Sequence, residues 1–251
     1  MRRWWKARSK KTGVAAVRAT RVSASLHSRG YYPVLGRLHA AFRPETYLEI
    51  GVSKGESLAL AAGCAVALGV DPEPMLKAPL AANARVFKMT SDEFFSTHDV
   101  RAELGGRDLD MAFVDGLHLF EHAVRDFANV ERSSTPSTLV VMHDCLAIDE
   151  VTASRDRTTL LWTGDIWKTA LVLLRYRPDL RLTVIDVPPS GLVVVEGLDS
   201  SSRVLDDHAE EIAAEYTDLG FGYWKQHKAE VLALVEDVES VLARLDAGGL
   251  A

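Results

Sequence analysis

The stretch YLEIGVSKGESLAL, Tyr47 to Leu60, opens as a strand and closes as a helix, with Gly51 and Gly55 between them. Glycines at such a junction let backbone approach a ligand closely, and a helix beginning there offers free N–H groups. A nucleotide-like guest fits that geometry. The stretch lacks the G-x-G-x-x-G spacing of a dinucleotide site and the glycine-lysine-serine/threonine ending of a Walker loop, which argues against both. A tight strand-to-helix turn with no ligand at all would also favour glycine here.

Outward from this stretch, apolar runs of strand length alternate with helical patterns, so the expected fold is α/β: a doubly wound, mostly parallel sheet covered on both faces. Strands are expected near Thr46–Gly51, Ala65–Val70, Ala84–Lys88, Met111–Val114 and Leu139–Met142. Phe120, Ala123, Val124 and Phe127 fall at i, i+3, i+4 and i+7, one helix face between the last two strands. The run DLRLTVIDVPPSGLVVVEG contains two more apolar segments joined by Pro188-Pro189-Ser190-Gly191. That gap is too short for a parallel crossover, so this C-terminal pair should be antiparallel. From Ala229 to Leu245, Val231, Leu234, Val235, Val238, Leu242 and Leu245 recur at helical spacing, which predicts an edge helix packed on the domain or forming a dimer contact. The expected division is a basic arm over 1–29, a ligand-binding domain over 30–200 and a helical extension over 201–251.

Charge supports that division. Eleven of the 29 basic residues and none of the 35 acidic ones lie in residues 1–44, so the remainder carries 18 basic against 35 acidic, a net −17. Such a body disfavours nucleic acid as a partner, whereas the arm suits phosphates or an anionic membrane surface. Its Arg-rich, acid-poor composition is also that of an organellar transit peptide, although a solvated arm is the simpler expectation. The longest apolar run, Leu58 to Val70, has 13 residues, against about 20 for a membrane span. Two cysteines, Cys64 in an expected strand and Cys145 in a loop, cannot build a disulfide framework or a four-ligand zinc site, so a reducing cytoplasm is expected.

Ligands of open α/β sheets bind outside the carboxyl ends of the strands, and those ends carry the candidate chemistry. The second offers Asp71, placed to accept hydrogen bonds from a ribose; the third is followed by Ser91 and Asp92. The fourth offers Asp115 and then His118, the fifth His143 and Asp144, so two acid–imidazole pairs share one sheet edge. Structural roles compete: a turn at Asp71, a helix cap at Ser91-Asp92, a loop histidine at His143. Carboxylates suit Mg²⁺ or Mn²⁺, and imidazole tilts the choice toward transition metals.

LEIGVSKGES, GVDPEP, FVDGLHLFEHAVRDF and VVMHDC, in this order and followed by LWTGDIWKTALVLLR, resemble the class I S-adenosylmethionine (SAM)-dependent methyltransferases. The likeness runs from about Tyr47 to Gly197 and is greatest to the small-molecule branch related to macrocin-type sugar O-methyltransferases. It implies a Rossmann-like methyltransferase sheet. It also implies that Glu49, Gly51 and Gly55 hold the methionine part of SAM, that Asp71 holds the ribose, and that Ser91-Asp92 lies at the adenine. By the same resemblance Asp115, His143 and Asp144 would bind a divalent metal, with Asp115 and His118 catalytic and His118 as base. His143 stands where the family has an acid, and STPSTLVV replaces its Pro-Gly-Gly. The expected reaction is O-methylation of a small-molecule hydroxyl, without a transmembrane segment and with a possible homo-oligomer through the terminal helices. Metal-independent transfer and a non-catalytic cofactor-binding accessory are the alternatives. In TGDIWK, Asp165, Trp167 and Lys168 belong to a segment that could cover the site, with Trp167 reading equally as core.

Overall fold

In the computed structural model, which describes residues 30–77 and 79–248, seven strands form one sheet. The chain runs through α1 (Tyr31–Phe42), β1 (Thr46–Ile50), a 3-10 helix (Leu58–Gly63), β2 (Val66–Val70), β3 (Ala84–Phe87), α2 (Ser91–Thr97) and α3 (Val100–Glu103). Then follow β4 (Leu109–Val114), α4 (Phe120–Arg132), β5 (Ser134–His143), α5 (Trp167–Tyr176), β6 (Arg181–Ile185) and β7 (Leu192–Glu196). Four helices complete it: α6 (Val204–Asp207), α7 (Ala209–Tyr216), α8 (Phe221–Leu232) and α9 (Val238–Asp246). The order is β3-β2-β1-β4-β5-β7-β6. The first five strands are parallel, and β7 runs antiparallel to both β5 and β6, the arrangement expected from the short Pro-Pro-Ser-Gly connection. The basic arm, with the expectations attached to it, lies outside the described residues.

Because side chains alternate faces along a strand, the sheet feeds two separate cores. Leu48, Ile50, Ala112, Val114, Val140 and Met142 join one core with Phe120, Phe127, Trp167 and Trp224. Tyr47, Met111, Phe113, Leu139 and Val141 join the other, with Leu35, Leu38, Leu58, Val241 and Leu245. Near-continuous apolar strands follow directly, since neither sheet face meets water.

Three expectations are corrected. The helix after Gly55 is a six-residue 3-10 helix, not an α-helix. Cys64 caps that 3-10 helix and lies outside β2. The tail is not one helix: between α8 and α9 it unwinds, and Val184 N–H donates to Leu234 O (2.9 Å) while Glu236 N–H donates to Val184 O (3.0 Å). β6 is an edge strand with unpaired backbone groups, and satisfying them outweighs continuing the helix. Asp237 then restarts it, its side chain accepting from Ser240 N–H.

The tail, expected to pack on the domain or to form a dimer contact, packs within the chain against the first helix. Val241, Leu242 and Leu245 of α9 share a core with Leu35 and Leu38 of α1, flanked by Arg37–Glu239 (2.6 Å) and Arg43–Asp246 (3.1 Å). Among the described residues no helix is long and apolar enough to cross a membrane. Leu38 is fully buried in this seam, so Leu38→Ala should cost about 2–5 kcal/mol, read as a lowered urea midpoint with an unchanged slope.

Candidate functional site

Strand register builds the site. Ile50 pairs with Val70 and with Val114, and Val114 pairs with Met142, so the next residues form one row along the carboxyl edge: Asp71, Gly51, Asp115 and His143. Gly51 is required by the close approach of β4. Its φ is +91°, and a Cβ there would overlap the Asp115 carbonyl. The sequence left this glycine to a ligand's approach or to a tight turn, and its missing side chain leaves room for the neighbouring strand end. Gly55 (φ +77°) instead faces Leu76 and Leu80 from the loop after β2.

Four titratable groups converge at the centre of the row. Asp115, His118 and Asp144 each offer a ligand atom, all within 4.8 Å of one another. With His143 they border a space of about 10 Å³, room for one water-sized body. Asp144 sits in the left-handed region (φ +63°), a conformation Asp tolerates better than most residues and one typical of functional sites. His118 Nδ1 lies 2.7 Å from Trp162 O and 3.2 Å from Asp144 Oδ2, and its Nε2 is 3.4 Å from Asp115 Oδ1. His143 Nδ1 lies 3.2 Å from Asp115 Oδ1 and 3.4 Å from Asp144 Oδ1. The expected metal residues Asp115, His143 and Asp144 and the expected base His118 all stand in this cluster, and the three whose ligand atoms lie within 4.8 Å of one another are Asp115, His118 and Asp144.

Electrostatics follow from the packing. Burial works against an imidazolium at His118, but Asp144 and Asp115 outweigh it and push the group up to about 9. The ordinary value near 6.5 that made it a base at neutral pH does not hold in this arrangement. His143 is raised as well, burial again opposing and the two carboxylates prevailing. Burial alone would raise Asp115, yet His143 and His118 hold it well below the usual carboxylate range.

Three residues that sequence reasoning does not single out complete the cluster. Tyr31 donates its hydroxyl to Asp115 Oδ2 (3.3 Å) and lays its ring 4.0 Å from that of His143. Ser190 donates to Asp144 Oδ1 from the β6–β7 turn. Gly164 (φ +58°) packs so tightly on the His118 carbonyl that a Cβ would overlap it. A glycine three residues before an apolar helix, in TGDIWK, was the available signal for the last; Tyr31 and Ser190 had none.

The other expected residues are more dispersed. Glu49 is buried on β1, accepting from Tyr47 Oη and Ser57 Oγ (both 2.8 Å), and burial pushes it up to about 8. Asp71 accepts from Ser53 N–H and Glu73 N–H (both 2.7 Å), tying the glycine turn to the end of β2. Thr90, not Ser91, caps α2. Asp92 makes a bidentate pair with Arg125 (2.6 and 2.8 Å), and Ser91 hydrogen-bonds the buried Asp126, which burial raises to about 7. Asp165 and Lys168 are structural: Lys168 Nζ donates to Asp165 Oδ2 (2.8 Å), and Asp165 Oδ1 accepts from Phe120 N–H (3.0 Å). Trp167 is core, against Trp224.

A family model described as a methyltransferase domain matches residues 48–145, the segment carrying this row. No curated protein matches the chain. Solved structures share the fold. The cofactor-bound Rv0187 protein from MTB aligns at 15% identity with a TM-score of 0.52, over 73% of this chain and 89% of that one. The O-methyltransferase TomG from Streptomyces achromogenes, involved in tomaymycin synthesis and solved with SAM, aligns at 18% and 0.50, over 66% and 79%. The SAH-bound methyltransferase PaMTH1 from Podospora anserina aligns at 15% and 0.50, over 77% and 100%. The chain therefore has a Rossmann-like methyltransferase fold, and its residues 48–145 match a methyltransferase-domain model.

Two substitutions test the site's construction. Gly164→Ala should lower the melting temperature and disturb the His118 imidazole resonances, because the added methyl must displace the His118 carbonyl. Glu49 keeps its proton to about pH 8 when folded and ionises near 4.5 when unfolded, so the folded state binds more protons between those values. Stability should thus fall as pH rises through that window, and Glu49→Gln should flatten the fall, followed as melting temperature against pH.

Proposed function

We propose that this methyltransferase domain transfers the methyl group of SAM to a hydroxyl of a small molecule, such as a sugar or natural product, with a divalent cation held by Asp115, His118 and Asp144. The observation carrying the reading is the convergence of two carboxylates and an imidazole on one small space at the carboxyl edge of a methyltransferase sheet. Support for SAM comes from the TomG and PaMTH1 structures, described with SAM and SAH.

The residues fit both groups. Asp71 and the turn through Gly51 and Gly55 stand together at the ends of β1 and β2, and Ser91 and Asp92 follow β3, along the path the resemblance assigns to methionine, ribose and adenine. For the cation, the donor set is two acids and one imidazole within 4.8 Å, hard enough for Mg²⁺ or Mn²⁺ and softened by His118 toward transition ions. When bound, such a cation lowers the pKa of the acceptor hydroxyl. His118 must give up its proton to serve as a ligand. A cation there would also offset the two carboxylates that raise His143, and neutral His143 would take the hydroxyl proton through Nε2, which lies 3.5 Å from Ser190 Oγ. The acceptor oxygen bonds the methyl carbon as the carbon–sulfur bond breaks, with that electron pair staying on sulfur.

The raised His118 and His143 favour a second reading, metal-independent transfer, because two imidazolium groups already balance the two carboxylates. His118 then positions the acceptor oxygen by donating to it instead of deprotonating it.

Calorimetry should show binding of SAM and SAH but not NAD, and Asp71→Ala should weaken it by about 1.5–3 kcal/mol. Absence of SAM affinity would sink the reading. Asp115→Asn or Asp144→Asn should abolish metal-stimulated turnover while leaving SAM affinity largely intact. Turnover surviving exhaustive chelation selects the metal-independent scheme, and methyl transfer to any acceptor excludes a non-catalytic accessory role.

A further inference from the structure

We infer that the acceptor is a single apolar ring bearing a hydroxyl and one carboxylate, bound in a cavity of about 230 Å³ beside Asp144. The inference rests on the methyl-transfer reading and narrows its substrate.

The cavity and the cluster share a wall. Ser190 lines the cavity, donates its hydroxyl to Asp144 Oδ1 and lies 3.5 Å from His143 Nε2. A ligand hydroxyl against Ser190 is therefore one hydrogen-bonded neighbour away from Asp144 and His143. The opposite wall is one face of α8, where Trp224, Lys228 and Leu232 recur at i, i+4 and i+8. Trp224 is buried and held by Trp167, with ring centroids 5.7 Å apart, so it is a fixed platform.

Size and lining decide the body of the ligand. The volume lies below the roughly 300–1,000 Å³ of drug-sized pockets, which limits the occupant to about one ring. Ile148 and Leu232 also line it, at 40% and 41% exposure, apolar surface that an apolar ligand would remove from water. A sugar ring presents hydroxyls around its whole rim, and each needs a partner when buried. Besides the indole N–H of Trp224, only Asp186, Ser190 and Lys228 offer polar side chains here, and Ser190 is already engaged with Asp144. An apolar ring loses nothing in this setting.

Charge decides the substituent. Among the described residues, neither Lys228 nor Asp186 forms an ion pair, although both line the same cavity. Lys228 offers a cation to a carboxylate. Asp186 repels a second negative charge, which sets a monocarboxylate above a phosphate ester.

The test uses the full chain with three probes: 3-hydroxybenzoate, phenol and methyl glucoside. Calorimetry with SAH present reads binding, and mass spectrometry with SAM reads methylation. 3-Hydroxybenzoate should bind best and be methylated, and Lys228→Ala should cut its kcat/KM preference over phenol about tenfold. Ile148→Trp, at a surface position where folding is not at stake, should weaken binding of both rings by filling the cavity. Preference for methyl glucoside, an unchanged preference in Lys228→Ala, or no ring bound while SAH binds normally would each overturn the inference. 3-Hydroxybenzoate bound but never methylated would overturn its role as acceptor, whereas absence of SAM and SAH affinity would overturn the methyl-transfer reading.

Discussion

The site depends on the contact between the ends of β1 and β4. Asp115 N–H donates to Ile50 O (2.8 Å), and Gly51 admits the Asp115 carbonyl where any side chain would exclude it. On the other side of the same turn Gly164 accepts the His118 carbonyl in the same way. Two glycines distant in sequence thus clamp the segment from Asp115 to His118. Backbone held from both sides gives its side chains few alternative directions, and preorganisation of this kind is what a reacting centre requires.

The clamp makes an expensive cluster possible. Buried carboxylates and imidazoles lose their hydration, a cost recovered only when opposite charges sit in good geometry. Here Asp115 meets His118, His143 and the Tyr31 hydroxyl, while Asp144 meets both imidazoles and Ser190. Each anion has two imidazole neighbours, so the loss of either histidine leaves a carboxylate under-compensated. Such a cluster is a poor source of stability and a good means of fixing one arrangement of groups, which suits a functional site better than a core. The closed terminal helices bear on it too, since α9 seats α1 and α1 carries Tyr31.

Much of this was legible in the chain. Apolar runs of strand length located the strands to within a few residues, because a strand covered on both faces must be apolar throughout. The short Pro-Pro-Ser-Gly link dictated an antiparallel pair, because chain length forbids a crossover. Strand ends also put Asp71, Asp115 and His143 in one row, since parallel neighbours in a doubly wound sheet end on the same edge. Other features were hidden. The break in the tail reflects an edge strand's need for partners, which periodicity does not record.

The amino-acid sequence by itself therefore determined the sheet, its direction and the residue types gathered at its carboxyl edge, because those follow from local periodicity and connection length. Only the tertiary structure decided that both imidazoles lie against both carboxylates, that both are pushed toward the charged form, and that Tyr31, Gly164 and Ser190 belong to the site. Those outcomes depend on distances of a few ångströms between segments as far apart as α1 and the β6–β7 turn. Charge coupling and steric exclusion act through space, and no spacing along the chain encodes them.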